Sequence, residues 1–117
     1  MLIEHLSLTK VTSAILAAAG APSAHADAVA QHLVEANLKG HDSHGVGMVP
    51  SYVKGMLDQH VDPHRHAQII KDTGAIVSID AGTGLGRIVG IEAMDIDIEK
   101  TKKHGLACVA LGNAAHL

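Results

Sequence analysis

Apolar residues recur at helical spacing over the first half of the chain. One predicted helix is capped by Ser7 and runs through Ala19, with Gly20 as its stop. A second is capped by Ser23 and continues to Gly40. A third begins within residues 46–50, where a proline is tolerated in the first turn. The spacing therefore predicts an N-terminal helical bundle whose first two helices pack as an antiparallel pair.

The hydrophobic period changes after Gly74. Residues 75–80 form a short β-branched run that is typical of a buried strand, and residues 88–104 return to helical spacing. A second short apolar run, at residues 106–111, predicts another strand. The two strands and the helix between them form a β-α-β unit, for which we expect parallel strands and a right-handed crossover.

The predicted fold class is α+β. We expect residues 1–74 to form a helical segment and residues 75–117 to begin an α/β domain. Two parallel strands and one helix leave one face and both edges of a sheet uncovered. We therefore expect the chain to be the N-terminal part of a longer protein.

The amino-acid composition argues against several classes of function. The chain has 117 residues, 47% of them apolar, and Tyr52 is its only aromatic residue. Its formal net charge of −3 and its lack of stacking platforms argue against nucleic acid as a partner, and no apolar run is long enough for a membrane span. The single Cys108 excludes an internal disulfide, which is typical of a cytoplasmic protein.

A glycine-rich turn follows the first predicted strand and precedes a helix, the context that a dinucleotide-binding fingerprint requires. The spacing of Gly82, Gly84 and Gly86 does not fit that fingerprint, because Arg87 or Val89 occupies the third glycine position. The sequence therefore favours a tight turn in which the helix and strand approach closely, and not a Rossmann pyrophosphate site.

Ten histidines are the most abundant chemically active side chains. The pair His41 and His44, and the set His60, His64 and His66, have spacings compatible with metal ligation. We interpret the second set as solvated surface in a polar loop and predict no metal at either. A His-rich metal-binding module, or a small helical interaction module, is the alternative function if the chain is complete at residue 117.

Two segments carry candidate catalytic groups. Residues 41–45 place polar side chains directly before a helix, where a capping turn is the simplest interpretation. Ser43 and His44 are adjacent, so we do not expect them to form a nucleophile–base pair with each other in regular backbone. His116 follows the carboxyl end of a parallel strand, the edge at which open α/β sheets bind ligands.

Three blocks of sequence, in this order and spacing, resemble the type-2 malate/L-lactate dehydrogenase family, and most closely its hydroxycarboxylate dehydrogenase branch. They are residues 40–53 (GHDSHGVGMVPSYV), residues 80–86 (DAGTGLG) and residues 113–117 (NAAHL). The resemblance implies a non-Rossmann fold, in which a helical part joins a mixed-sheet cofactor domain, and a homodimeric enzyme that requires NAD or NADP.

The activity that the resemblance implies is the interconversion of a small 2-hydroxy acid, such as malate or lactate, and its 2-oxo acid by hydride transfer. By position, His116 resembles the family's catalytic acid/base and His44 a second catalytic residue. Ser43 and Tyr52 resemble substrate-binding residues. Many members have arginine where this chain has Met48, so another group must bind the substrate carboxylate. We expect the 117-residue chain alone to be inactive.

Overall fold

The computed structural model describes residues 1–116 of the chain, which contains two units, Met1–Pro63 and His64–Leu117. The first unit is helical and the second combines a sheet with one helix, so the predicted α+β class is confirmed. None of the helices in the described part of the chain is long and apolar enough to cross a membrane.

Three helices form the first unit: α1 (His5–Ala18), α2 (Ser23–Leu38) and α3 (Val49–Leu57). The expected cap of α1 was wrong. The Glu4 carboxylate, not Ser7, accepts hydrogen bonds from the first amide groups of the helix, so α1 begins three residues earlier than predicted. The expected Ser23 cap of α2 was also wrong, because Ser23 is the first residue of the helix, Pro22 precedes it, and no side chain caps it.

The core of the first unit lies where α1 packs on α2. The central buried residue of α1 is Leu16, and α2 contributes a stripe of small and branched residues at helical spacing. The fully buried members of that stripe are Ala26, Val29, Ala30 and Leu33. Helix α3 also packs on α1 and contributes Tyr52 and Met56 to the buried set. This core fixes the end of α2, from which the chain continues into the first candidate segment.

The second unit contains β1 (Gln68–Asp72), β2 (Ile76–Asp80), α4 (Gly86–His104) and β3 (Cys108–Gly112). Strands β2 and β3 are parallel, so the predicted strand-helix-strand unit with parallel strands is confirmed. Strand β1 pairs antiparallel with β2, which makes the sheet mixed with the order β1-β2-β3.

Alternate residues of the sheet pack against α4. Val77 and Ile79 of β2 are buried with Ala93 of α4, and Val109 and Leu111 of β3 extend the same cluster. The parallel register places the carboxyl ends of β2 and β3 side by side, because Asp80 lies opposite Gly112. The second candidate segment begins at this edge.

Candidate active site

The first candidate segment is a short 3-10 turn, Asp42–His44, followed by a second, Val46–Met48, that leads into α3. Within it the Ser43 hydroxyl lies 2.9 Å from Nδ1 of the His44 imidazole, which is hydrogen-bond distance. Our expectation excluded a nucleophile–base pair for regular backbone only, and this segment is a 3-10 turn. The tight 3-10 backbone, which regular spacing did not predict, brings the two side chains to the same side.

Asn37, near the end of α2, supports this turn from both sides. Its side-chain amide donates to Asp42 Oδ1 at 2.7 Å, and its carbonyl oxygen accepts from the backbone N–H of Val46 at 2.8 Å. A β-carbon on Gly45 would lie 2.2 Å from the Asn37 carbonyl oxygen, so a larger residue at position 45 would displace the Asn37 side chain from its two hydrogen bonds. The turn therefore has a fixed connection to α2.

Tyr52 lies on α3, in the same unit as Ser43 and His44, and only 5% of its surface is exposed. Burial disfavours the charged phenolate and raises the pKa of the Tyr52 hydroxyl above its ordinary value. The phenol therefore stays protonated in the ordinary working range of enzymes, in which it acts as a neutral hydrogen-bonding group.

The second candidate segment, residues 113–116, docks against the glycine-rich turn. The glycine-rich turn and the candidate segment both contain residues with left-handed backbone conformation. In the candidate segment these residues are Asn113, with φ of +59°, and His116, with φ of +34°. An isolated parallel bridge joins Leu85 to Ala115. Three backbone hydrogen bonds complete the contact: Thr83 N to Asn113 O at 2.8 Å, Ala115 N to Gly84 O at 3.0 Å, and Gly86 N to Ala115 O at 2.8 Å. These hydrogen bonds hold the backbone as far as Ala115, the residue before His116. The side chain of His116 is exposed.

Asp80 connects the ends of the two parallel strands. Its Oδ1 accepts from the Gly82 N–H at 2.9 Å and from the Asn113 side-chain amide at 3.2 Å. The Gly82 N–H is the main cause that holds the pKa of Asp80 below its ordinary value, followed by the Asn113 amide and, at longer range, the Arg65 charge. The carboxylate form therefore stabilises the start of the candidate segment.

The glycine-rich turn itself is not an open phosphate cradle. Its amide groups already have acceptors within the chain: Gly82 N donates to Asp80, Thr83 N to Asn113, Gly84 N to Ala81, and Gly86 N to Ala115. A pyrophosphate would have to displace these bonds. This geometry supports the interpretation drawn from the glycine spacing, a tight turn with close backbone approach.

The other histidines do not form a metal centre. His66 Nδ1 lies 2.6 Å from a Glu92 carboxylate oxygen, and the other oxygen of Glu92 accepts from the Ala67 N–H at 2.7 Å. His25 Nδ1 lies 2.8 Å from the Pro63 carbonyl oxygen. Among residues 1–116, no three histidine, cysteine or carboxylate side chains are grouped closely enough to hold a metal ion.

The structure thus brings Ser43 and His44 together and places Tyr52 in the same unit, whereas His116 belongs to the other unit. Sequence reasoning missed Asn37. The sequence did contain a signal for Asn37, because this residue continues the apolar helical stripe of Val29, Leu33 and Val34. A polar side chain on the packed face of a helix usually has a hydrogen-bond partner.

The comparisons with known proteins match nearly the whole chain to one family of enzymes. The model of the malate/L-lactate dehydrogenase family matches residues 3–117. Hydroxycarboxylate dehydrogenase B from Escherichia coli is 42% identical over 111 residues, which cover 95% of this chain and 31% of that protein. L-sulfolactate dehydrogenase from Methanocaldococcus jannaschii is 34% identical over 116 residues, covering 99% and 34%.

The structure of malate dehydrogenase from Pyrococcus horikoshii superposes with a TM-score of 0.92 at 32% identity, covering 99% of this chain and 33% of that one. The chain therefore spans about a third of the length of the curated relatives that it matches.

Proposed function

The chain belongs to the malate/L-lactate dehydrogenase family, and we propose that the whole enzyme interconverts a small 2-hydroxy acid and its 2-oxo acid with NAD or NADP. The observation that carries the proposal is the position of His116. It follows a parallel strand at the carboxyl edge of the sheet, on a segment held by three backbone hydrogen bonds. Ligands of open α/β sheets bind at this edge.

In this proposal His116 is the acid/base catalyst. When the 2-hydroxy acid is oxidised, the neutral imidazole accepts the hydroxyl proton as the C2–H bond breaks and a carbonyl forms. When the 2-oxo acid is reduced, the imidazolium returns that proton to the oxygen. The chemistry that a nicotinamide cofactor would supply, when bound, is transfer of the hydride to or from C2 of the substrate.

We assign Ser43, His44 and Tyr52 to substrate binding, with His44 as a second catalytic group. The 2.9 Å contact between the Ser43 hydroxyl and His44 Nδ1 fixes the orientation of the ring. Hydroxyl and imidazole groups are suitable partners for the carboxylate and 2-oxygen of the substrate. Since Met48 cannot bind a carboxylate as arginine does, we expect these groups to provide part of the substrate affinity.

The glycine-rich turn does not fit the pyrophosphate of the cofactor, because its amide groups are already bonded. We therefore assign no cofactor contact within residues 1–116. A homodimeric, cytoplasmic enzyme that requires no metal, nucleic acid or membrane completes the proposal.

An activity assay of the whole enzyme tests the proposal. The absorbance of NADH and of NADPH is followed while a panel of small 2-oxo acids is added, with simple ketones that lack the carboxylate as the control. We expect turnover with at least one 2-oxo acid and none with the ketones. Turnover of none of the 2-oxo acids would refute the assignment, and activity of the 117-residue chain alone would refute its dependence on the rest of the enzyme.

A further inference from the structure

The side chain of Asn37 spans the turn that carries Ser43 and His44. Its two hydrogen bonds reach Asp42, the residue before the pair, and Val46, two residues after it. One bond uses the amide as a donor at 2.7 Å and the other uses the carbonyl oxygen as an acceptor at 2.8 Å. A single side chain on a regular helix therefore bonds to the chain on both sides of the Ser43–His44 pair.

The polarity of these bonds is specific to an amide. A carboxylate at position 37 could still accept from the Val46 N–H, but it could not donate to Asp42 and would place two negative charges together. Gly45 adds a steric constraint, since the Asn37 amide atoms lie 2.2 to 2.5 Å from where a β-carbon would be. The turn is thus packed directly on the Asn37 amide.

We propose that Asn37 is a positioning residue, which holds the Ser43–His44 pair in its working orientation through these two bonds. The inference rests on the proposed function of that pair. Displacing a substrate-binding group by about 1 Å can lower the rate by as much as about 10²-fold, so a rigid anchor matters even though Asn37 itself does not contact the substrate.

Reversing the polarity of the Asn37–Asp42 bond tests the proposal in the whole enzyme. Asn37→Asp should lower kcat/KM for the 2-oxo acid by at least about tenfold, mainly by raising its KM, while KM for the nicotinamide stays unchanged. The double variant Asn37→Asp with Asp42→Asn restores a donor and an acceptor in reversed order. It should return kcat/KM to within about threefold of the wild-type value.

Three further variants complete the design. Asn37→Ala removes both bonds without adding a charge and should show the same KM effect, which covers the case in which Asn37→Asp does not fold. Asp42→Asn alone should be nearly neutral, because its amide can present oxygen to Asn37. Glu35→Gln, on an exposed position of the same helix, is the matched control and should leave the kinetic constants unchanged.

The NMR signals of the His44 imidazole give a readout that does not depend on turnover. They should shift in Asn37→Asp and return in the double variant. Unchanged His44 signals and kinetic constants in Asn37→Asp and Asn37→Ala, or a double variant no better than the single one, would overturn the positioning role. His44 signals that shift in Asn37→Asp and return in the double variant, in an enzyme that turns over no 2-oxo acid, would instead refute the proposed function and leave the positioning role of Asn37 intact.

Discussion

The carbonyl oxygen of His116 lies 2.0 Å from the position that a β-carbon on Gly86 would occupy. The carbonyl carbon of His116 is 2.6 Å away and the Ala115 oxygen is 2.7 Å away. These are backbone atoms, so they cannot move aside as the end of a flexible side chain could. The first residue of α4 must therefore be glycine for the segment that carries His116 to dock.

Gly86→Ala should consequently displace residues 113–116. Alanine is the better helix former by about 1 kcal/mol, so α4 itself should not weaken. We expect kcat of the whole enzyme to fall at least about tenfold, since the candidate acid/base moves with its backbone. Gly112→Ala is the control, because its β-carbon would meet nothing closer than the Ile79 oxygen at 3.9 Å. Equal kcat values for both variants would show that this docking is unimportant.

The parts of the fold that sequence predicted are those with a clear hydrophobic period. The change from helical spacing to β-branched runs near Gly74 located β2, α4 and β3 correctly. Strand β1 was missed because all five of its residues are exposed and its sequence, QIIKD, does not alternate. Its pairing with β2 depends on backbone hydrogen bonds, which leave no periodic signal.

The candidate site shows the same limit. Polar residue types identified the turn around Ser43 and His44, and the strand end before His116. Sequence spacing could not reveal the Ser43–His44 contact, because it depends on a 3-10 backbone. Nor could sequence spacing reveal that the Asn37 side chain packs against Gly45, since this contact joins residues eight positions apart through tertiary packing.

Asp80→Asn should make the free energy of unfolding vary less with pH in the acid range. The folded-state pKa of Asp80 lies below the ordinary value of 3.8, chiefly because the Gly82 N–H donates to the carboxylate. Its stabilising contribution is therefore present above that ordinary value and is lost as pH falls through the lower folded value. The variant keeps an acceptor oxygen but no charge, and charge-assisted bonds are the stronger ones.

Thermal unfolding at several pH values measures the effect. The wild-type protein should have the higher Tm near neutral pH, and the difference from Asp80→Asn should shrink below about pH 4. Asp95→Asn, at an exposed position on α4, controls for the change in net charge. A Tm difference that persists undiminished into strong acid would contradict this role of the carboxylate.

Tyr52 should ionise at a higher pH in the folded chain than in the unfolded chain. Burial raises its folded-state pKa above the ordinary value of 10.0, so its contribution to stability is present below that value and is lost as pH rises. Tyr52 is the only aromatic residue in the chain, so phenolate absorbance reports this one group. The titration midpoint should fall when denaturant is added, and Tyr52→Phe should abolish the signal. Identical midpoints in the two states would contradict burial of the hydroxyl.

His116→Ala in the whole enzyme should lower kcat by roughly 10²- to 10⁴-fold, the usual contribution of a general acid/base. The loss should be equal in kcat and kcat/KM, because the proton moves only in the transition state, whereas His44→Ala should also raise KM for the acid substrate. A near-normal kcat with only KM raised would make His116 a binding residue and favour His44 as the group that transfers the proton.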